Sequence, residues 1–200
     1  TYGLRDMYCT LLNQITLPEL SSLSIKSASA FHIPAYKNCL ISVIRMGALL
    51  RTLKLGTFPR LGPDVWLSIA QQCRHLQSVC FESTAIEDDE LSVFVKNCSQ
   101  ITTFNMTNND YVSDAGVYHV LVNLRQLRSL TLQNCYQLTD NTLLNIEVHC
   151  VRLEELYLRN VLMISSLEEL RGKLPMLRVF NAQTVTLDGP IPDDAYMYED

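Results

Sequence analysis

Apolar residues recur along this chain as triads spaced L-x-x-L-x-L. They begin at Leu50 (LRTLKL), Leu76 (LQSVCF), Ile101 (ITTFNM), Leu127 (LRSLTL), Leu153 (LEELYL) and Leu177 (LRVFNA), at intervals of 26, 25, 26, 26 and 24 residues. An earlier triad, Leu20, Leu23 and Ile25, lies 30 residues before Leu50. A near-constant step held this long is the mark of a repeat architecture. Within each triad the apolar side chains alternate with polar ones, the period of a strand with one buried face. Seven such strands, stacked at about 4.8 Å each, predict a parallel sheet.

A second pattern follows each triad. Asp64, Asp89, Asp114, Asp140 and Ser166 stand thirteen or fourteen residues after the start of their triads. Short acidic or hydroxyl side chains there predict helix starts, since they can cap free N–H groups and suit the positive end of the helix dipole. The segments that follow, DVWLSIAQQC, DDELSVFVKNC, DAGVYHVLVNL, DNTLLNIEVHC and SLEELRGKL, carry apolar residues at helical spacing. In the fourth, Leu143, Ile146 and Val148 are read as the inner face. Three of the helices end on Cys73, Cys98 and Cys150, with Leu124 in the equivalent place of another. Helices this short are marginal alone and need their neighbours.

The pattern divides the chain into residues 1–19, a partial repeat or N-terminal helix; 20–187, the repeat domain; and 188–200, an acidic tail. Pro34 delays the helix of the first full repeat to about Ala35–Met46. Pro175 shortens the Leu153 repeat, and Gly189-Pro190-Ile191-Pro192 ends regular structure.

Composition changes this picture little. The 48% hydrophobic content is that of a folded protein. No apolar run approaches the roughly 18 residues a membrane span needs. The net charge of −5 comes from Asp188, Asp193, Asp194, Glu199 and Asp200; without those five the chain has 16 acidic and 16 basic residues. A neutral body argues against nucleic acid as the partner. The seven cysteines follow the repeat and form no CxxC pair, so they read as reduced, buried, small apolar groups in a reducing compartment. That points to the cytoplasm, with the nucleus or a cytoskeletal or ciliary location also open.

The segment LRSLTLQNCYQLTDNTLLNIEVHC, residues 127–150, fits L-x-x-L-x-L-x-x-C-x-x-[IL]-[ST]-D at almost every marked position. It resembles the cysteine-containing leucine-rich repeat. ITTFNMTNNDYVSDAGVYHVLVNL carries Asn109 at the cysteine position, as ribonuclease-inhibitor-like repeats often do. The other repeats place Phe58, Thr84 and Val161 there, so the ladder of buried Cys or Asn side chains is interrupted. The resemblance spans residues 20–187 and implies an α/β right-handed horseshoe of about seven repeats, with a parallel sheet on the concave face and helices on the convex face. It also implies protein–protein recognition. Members commonly follow an F-box and select substrates for a cullin-based ubiquitin ligase; others are scaffolds in cilia or other large assemblies. Leu61–Ile69, LGPDVWLSI, is similar to an F-box opening but falls in phase with the repeat helices.

No phosphate-binding glycine loop, G-x-S-x-G or H-E-x-x-H is present, so no cofactor, metal or catalytic residue is expected. The pairs Cys73/His75 and Cys150/His149 recur with the repeat, which suggests tight chain return over a nucleophile and its base. What remains is recognition by the x positions of the strands: Lys54, Glu82, Asn105, Thr131, Gln133, Glu155, Tyr157 and Arg159, with Lys26 and Asn181 at the ends. Tyr157 and Arg159 stand out, because Tyr and Arg carry much of the energy of protein interfaces.

Overall fold

The computed structural model describes residues 20–26, 37, 40–42, 44–45, 48–58, 60–161, 170 and 172–183. The expected N-terminal helix, the helix start at Ser166 and the acidic tail lie outside them. Seven strands form one parallel sheet in chain order: β1 Ser22–Lys26, β2 Thr52–Gly56, β3 Ser78–Glu82, β4 Thr103–Thr107, β5 Ser129–Gln133, β6 Glu155–Arg159 and β7 Val179–Gln183. Among the described residues, four helices between β2 and β6 have both ends defined: α1 Pro63–Gln72, α2 Asp88–Asn97, α3 Asp114–Asn123 and α4 Asp140–His149. In the delayed repeat, Lys37, Leu40–Ser42, Ile44 and Arg45 are helical, as the position of Pro34 predicts. The F-box-like Leu61–Ile69 segment leads into and forms α1, an ordinary repeat helix.

Register is continuous, with no slip at any pairing. Leu53, Val79, Phe104, Leu130, Leu156 and Phe180 form one row, and Leu55, Phe81, Met106, Leu132, Leu158 and Ala182 form the next. From β2 to β6 these residues are all 0–1% exposed, so each strand is sealed between its neighbours. Slipping one strand by a residue would turn its whole apolar set outward. One part of the core is aromatic: Phe81 packs edge-on against Trp66 at 5.0 Å, Phe94 at 5.2 Å and Phe104 at 5.9 Å between ring centroids.

Two expectations for the helices need correction. The residues that cap α1 to α4 are Gly62, Glu87, Ser113 and Thr139. The aspartates read from the sequence stand one or two residues further in. One of them, Asp114, and the unforeseen Asp88 act on the neighbouring repeat. Asp88 accepts from the Ser113 N–H (2.9 Å) and hydroxyl (2.6 Å). Asp114 likewise accepts from the Thr139 N–H (2.9 Å) and hydroxyl, and from the Thr142 hydroxyl. Each carboxylate thus fixes the start of the next helix. Gly116 makes room for the first of these, since a Cβ there would collide with the Asp88 carboxylate. In α1 the corresponding position is Pro63, and the Glu87 N–H is taken instead by Glu90 of its own helix at 3.0 Å. The second correction is Val148, which is 67% exposed, whereas Leu143 and Ile146 are buried. Five residues from Leu143 is about 140° around a helix, which carries Val148 off the inner stripe.

Burial pulls the Asp114 carboxyl upward, but the bonds from Thr139, Thr142 and Asn141 outweigh it and hold it below the usual aspartate range. A depressed carboxyl stabilises the fold above its unfolded pKa of about 3.9, and that stability is lost as pH falls through the lower folded value. Asp114→Asn is therefore expected to cost about 1–2 kcal/mol at neutral pH. The gap from wild type should close progressively below about pH 4; parallel urea titrations across pH check this, and a gap that stays constant into acid would refute it.

Candidate functional site

The turns after the strands set the edge of the concave face. Thr57, Ser83, Asn108, Asn134 and Asn160 each follow a strand directly and have φ between 51° and 55°. Asparagine tolerates that left-handed conformation better than other residues with a side chain. Thr57, Ser83, Asn108 and Asn134 donate their N–H to the last strand carbonyl of the next repeat, at 2.7–2.9 Å. The carboxamides of Asn108, Asn134 and Asn160 also link to one another along the rim. The recurrence of Asn at 108, 134 and 160 was a sequence signal that the leucine pattern overshadowed.

One residue further on, three positions of the interrupted ladder bond through their side chains: Thr84, Asn109 and Cys135. Asn109 is fully buried. Its Oδ1 accepts from the Thr84 N–H (3.1 Å) and hydroxyl (2.9 Å), and its Nδ2 donates to the carbonyls of Phe81 and Thr107, both at 2.9 Å. Cys135 donates weakly to the carbonyl of Gln133 at 3.5 Å and lies 3.9 Å from that of Met106. The Phe58 N–H donates to the Ser83 carbonyl at 3.0 Å.

The outward strand residues form three rows across the sheet. The first is Ser22, Thr52, Ser78, Thr103, Ser129, Glu155; the second is Ser24, Lys54, Cys80, Asn105, Thr131, Tyr157; the third is Lys26, Gly56, Glu82, Thr107, Gln133, Arg159. All eight residues singled out from the sequence lie on this one face. Lys54 and Arg159 are exposed, and the other six are half-buried. Asn105, Thr131 and Tyr157 are register neighbours in the second row, and Gln133 and Arg159 in the third. Some of the eight are already engaged. Glu82 pairs with Lys26 at 3.2 Å. Glu155 accepts from the Ser129 hydroxyl at 2.9 Å, and Asn105 accepts from the Thr107 hydroxyl at 3.0 Å.

Three features of this face were not foreseen. The hydroxyls of Thr52, Ser78, Thr103 and Ser129 line one border; the same alternation that marks the other rows would have found them. Cys80 is half-buried near the middle, its thiol pushed upward by burial and by Glu82, against the opposing Lys54 ammonium. Finally, Lys26 reaches Glu82 two strands away by passing over Gly56, where an added Cβ would lie 3.3 Å from Lys26 Cγ.

The helix-end cysteines Cys73, Cys98 and Cys150 are buried, as is Cys135 in its turn. Burial pushes Cys73, Cys98, Cys135 and Cys150 up to about 12, and Cys98 donates to the Cys73 carbonyl at 3.5 Å. His75 is exposed while Cys73 is buried, and the His149 ring packs edge-on against Tyr118 at 5.7 Å. Among the described residues no group of three or more His, Cys, Asp or Glu is placed to hold a metal ion, and no helix is long and apolar enough to cross a membrane.

No protein-family model matches the chain. Among solved structures it is similar to a chain of the complex of Rad7 and Elc1 in yeast, with a TM-score of 0.62 and 14% sequence identity, over 86% of this chain and 44% of that one. The chain thus spans less than half the length of that neighbour. At this identity the likeness concerns the fold, and with the register above it defines the class: an α/β leucine-rich-repeat solenoid.

Proposed function

We propose that this chain is a non-catalytic protein-interaction module whose concave sheet face holds the partner. The observation that carries the reading is the convergence of Lys54, Glu82, Asn105, Thr131, Gln133, Glu155, Tyr157 and Arg159 on one continuous face. Tyr157 and Arg159, neighbours on β6, are its anchor. The resemblance to cysteine-containing repeats supports a role as a substrate-recognition or adaptor subunit of F-box type. The structural neighbour, solved as a complex of two proteins, is in keeping with an adaptor. Free, buried thiols are in keeping with a reducing compartment such as the cytoplasm.

One observation favours a second reading, a scaffold subunit of a large assembly such as a ciliary or axonemal complex. Among the described residues β1 pairs on one side only, and Leu23 and Ile25 are only partly buried where Leu53 and Leu55 are sealed. An end of this kind suits stacking against a neighbour.

Crosslinking mass spectrometry on the native complex, combined with Tyr157→Ala and Arg159→Ala together, tests the concave face. The double variant should keep its melting temperature and bind its partner about 30-fold more weakly, the effect of losing about 2 kcal/mol at an interface anchor. Unchanged affinity, with crosslinks confined to the helices, would sink the proposal. A partner recovered with a cullin and its adaptor favours the first reading; stoichiometric incorporation in an assembly that covers β1 favours the second.

A further inference from the structure

Charge is segregated between the two rims of the solenoid. The loops after β2 to β5, with the first turns of α1 to α4, hold Asp64, Glu87, Asp88, Asp89, Glu90, Asp110, Asp114 and Asp140 against Arg60 alone. The opposite rim, where the chain enters β2 to β7, holds Arg51, Arg74, Arg125, Arg128, Arg152 and Arg178 against Glu154 alone. All six arginines are exposed.

The helix dipole accounts for part of this. Arg74 and Arg125 donate through Nε to Gln71 and Val122 carbonyls in the last turns of α1 and α3, at 3.3 and 3.0 Å. It does not account for Arg51, Arg128, Arg152 and Arg178, which lie beyond the helix ends. Of these, only Arg128 makes an ion pair among the described residues. Backbone hydrogen bonds tie Arg51, Arg128 and Arg178 into the sheet. The carbonyl of Arg51 accepts from Gln77 and Ser78, that of Gln77 from Thr102 and Thr103, that of Thr102 from Arg128 and Ser129, that of Arg128 from Glu154 and Glu155, and that of Glu154 from Arg178. The result is a row with one position per repeat, Arg51, Gln77, Thr102, Arg128, Glu154 and Arg178, at about 4.8 Å per step.

We infer that this rim, centred on Arg125, Arg128, Arg152 and Arg178, docks an acidic polypeptide segment, on a surface separate from the concave face. The rim already shows how a carboxylate fits between repeats, since Glu154 seats against Arg128 of the preceding repeat. Guanidinium groups match carboxylates bidentately, and arginine supplies every cation of these loops. A short acidic segment engages the basic rim alone. A long polyanion such as nucleic acid would also meet the field of the acidic rim, in a chain whose net charge is −5.

The test is fluorescence anisotropy at low salt with a labelled poly-glutamate peptide. Wild type should bind, with affinity falling as salt rises. The combined Arg125→Ala, Arg152→Ala and Arg178→Ala variant should bind about tenfold more weakly, the sum of three exposed charge contacts. Arg60→Ala on the other rim should bind as wild type does, and circular dichroism should show all variants folded. The inference is overturned if the peptide does not bind, or if the triple variant binds equally well. It is also overturned if a single-stranded DNA oligonucleotide binds more tightly than the peptide and loses affinity through the same three substitutions.

Discussion

Leu130→Asp is expected to abolish the cooperative thermal transition of the solenoid, while Thr131→Asp on the same strand leaves it nearly unchanged. Leu130 is 0% exposed and sits in register between Phe104 and Leu156, so it belongs to two repeat interfaces at once. Removing its side chain from the core forfeits about 2–3 kcal/mol of burial. Placing an unpaired carboxylate there adds several more, even if the group escapes by taking up a proton. Domains of this size are stable by only about 5–15 kcal/mol. In a stacked array, where each repeat is stabilised by its neighbours, a break in the middle is felt on both sides. Thr131 points to the concave face, where a carboxylate stays hydrated, so its replacement should cost less than about 0.5 kcal/mol. Thermal denaturation followed by circular dichroism decides the matter. A cooperative melt retained by Leu130→Asp would mean that the assigned strand faces are reversed.

That pair of substitutions also marks what could be read from the sequence. A buried triad position is constrained by packing on both sides, so it recurs as an apolar residue at a near-constant step, and Leu53, Val79, Phe104, Leu130 and Leu156 were legible for that reason. The x positions face solvent and answer to no such constraint. Their identity as one face followed from alternation, but nothing periodic distinguishes Tyr157 or Arg159 from a merely hydrated residue. Contacts between repeats were hidden for another reason. An aspartate twelve or thirteen residues after the start of a triad looks the same whether it caps its own helix or the next one. Only the structure shows Asp88 and Asp114 reaching forward to Ser113 and Thr139. The span of Lys26 over Gly56 to Glu82 depends on the register of three strands at once. The charged rims were missed because residues from loops far apart in sequence had first to be laid side by side.

Asn109→Leu should be the most damaging substitution that changes neither charge nor overall size. The carboxamide satisfies four groups: the Thr84 N–H, the Thr84 hydroxyl, and the carbonyls of Phe81 and Thr107. Leucine fills a similar volume and meets none of them. The Thr107 carbonyl keeps the Ser83 N–H at 2.9 Å, so the loss falls on the other three. Each buried polar group left without a partner costs about 1–3 kcal/mol, and a loss of at least about 3 kcal/mol is expected. Asn109→Cys should recover part of it. Cys135 holds the equivalent place one repeat later and directs its thiol to backbone carbonyls, so a thiol at 109 can serve Phe81 or Thr107. It cannot serve Thr84 as well, so the deficit that remains should centre on that residue. Thr84→Val removes the stranded hydroxyl, and in the Asn109→Cys background it should cost less than it does in wild type. A double-mutant cycle by urea denaturation measures this coupling, expected at about 1–2 kcal/mol. Strictly additive effects would mean that Asn109 and Thr84 stabilise the turn independently, and the inter-repeat bond drawn between them would have to be abandoned.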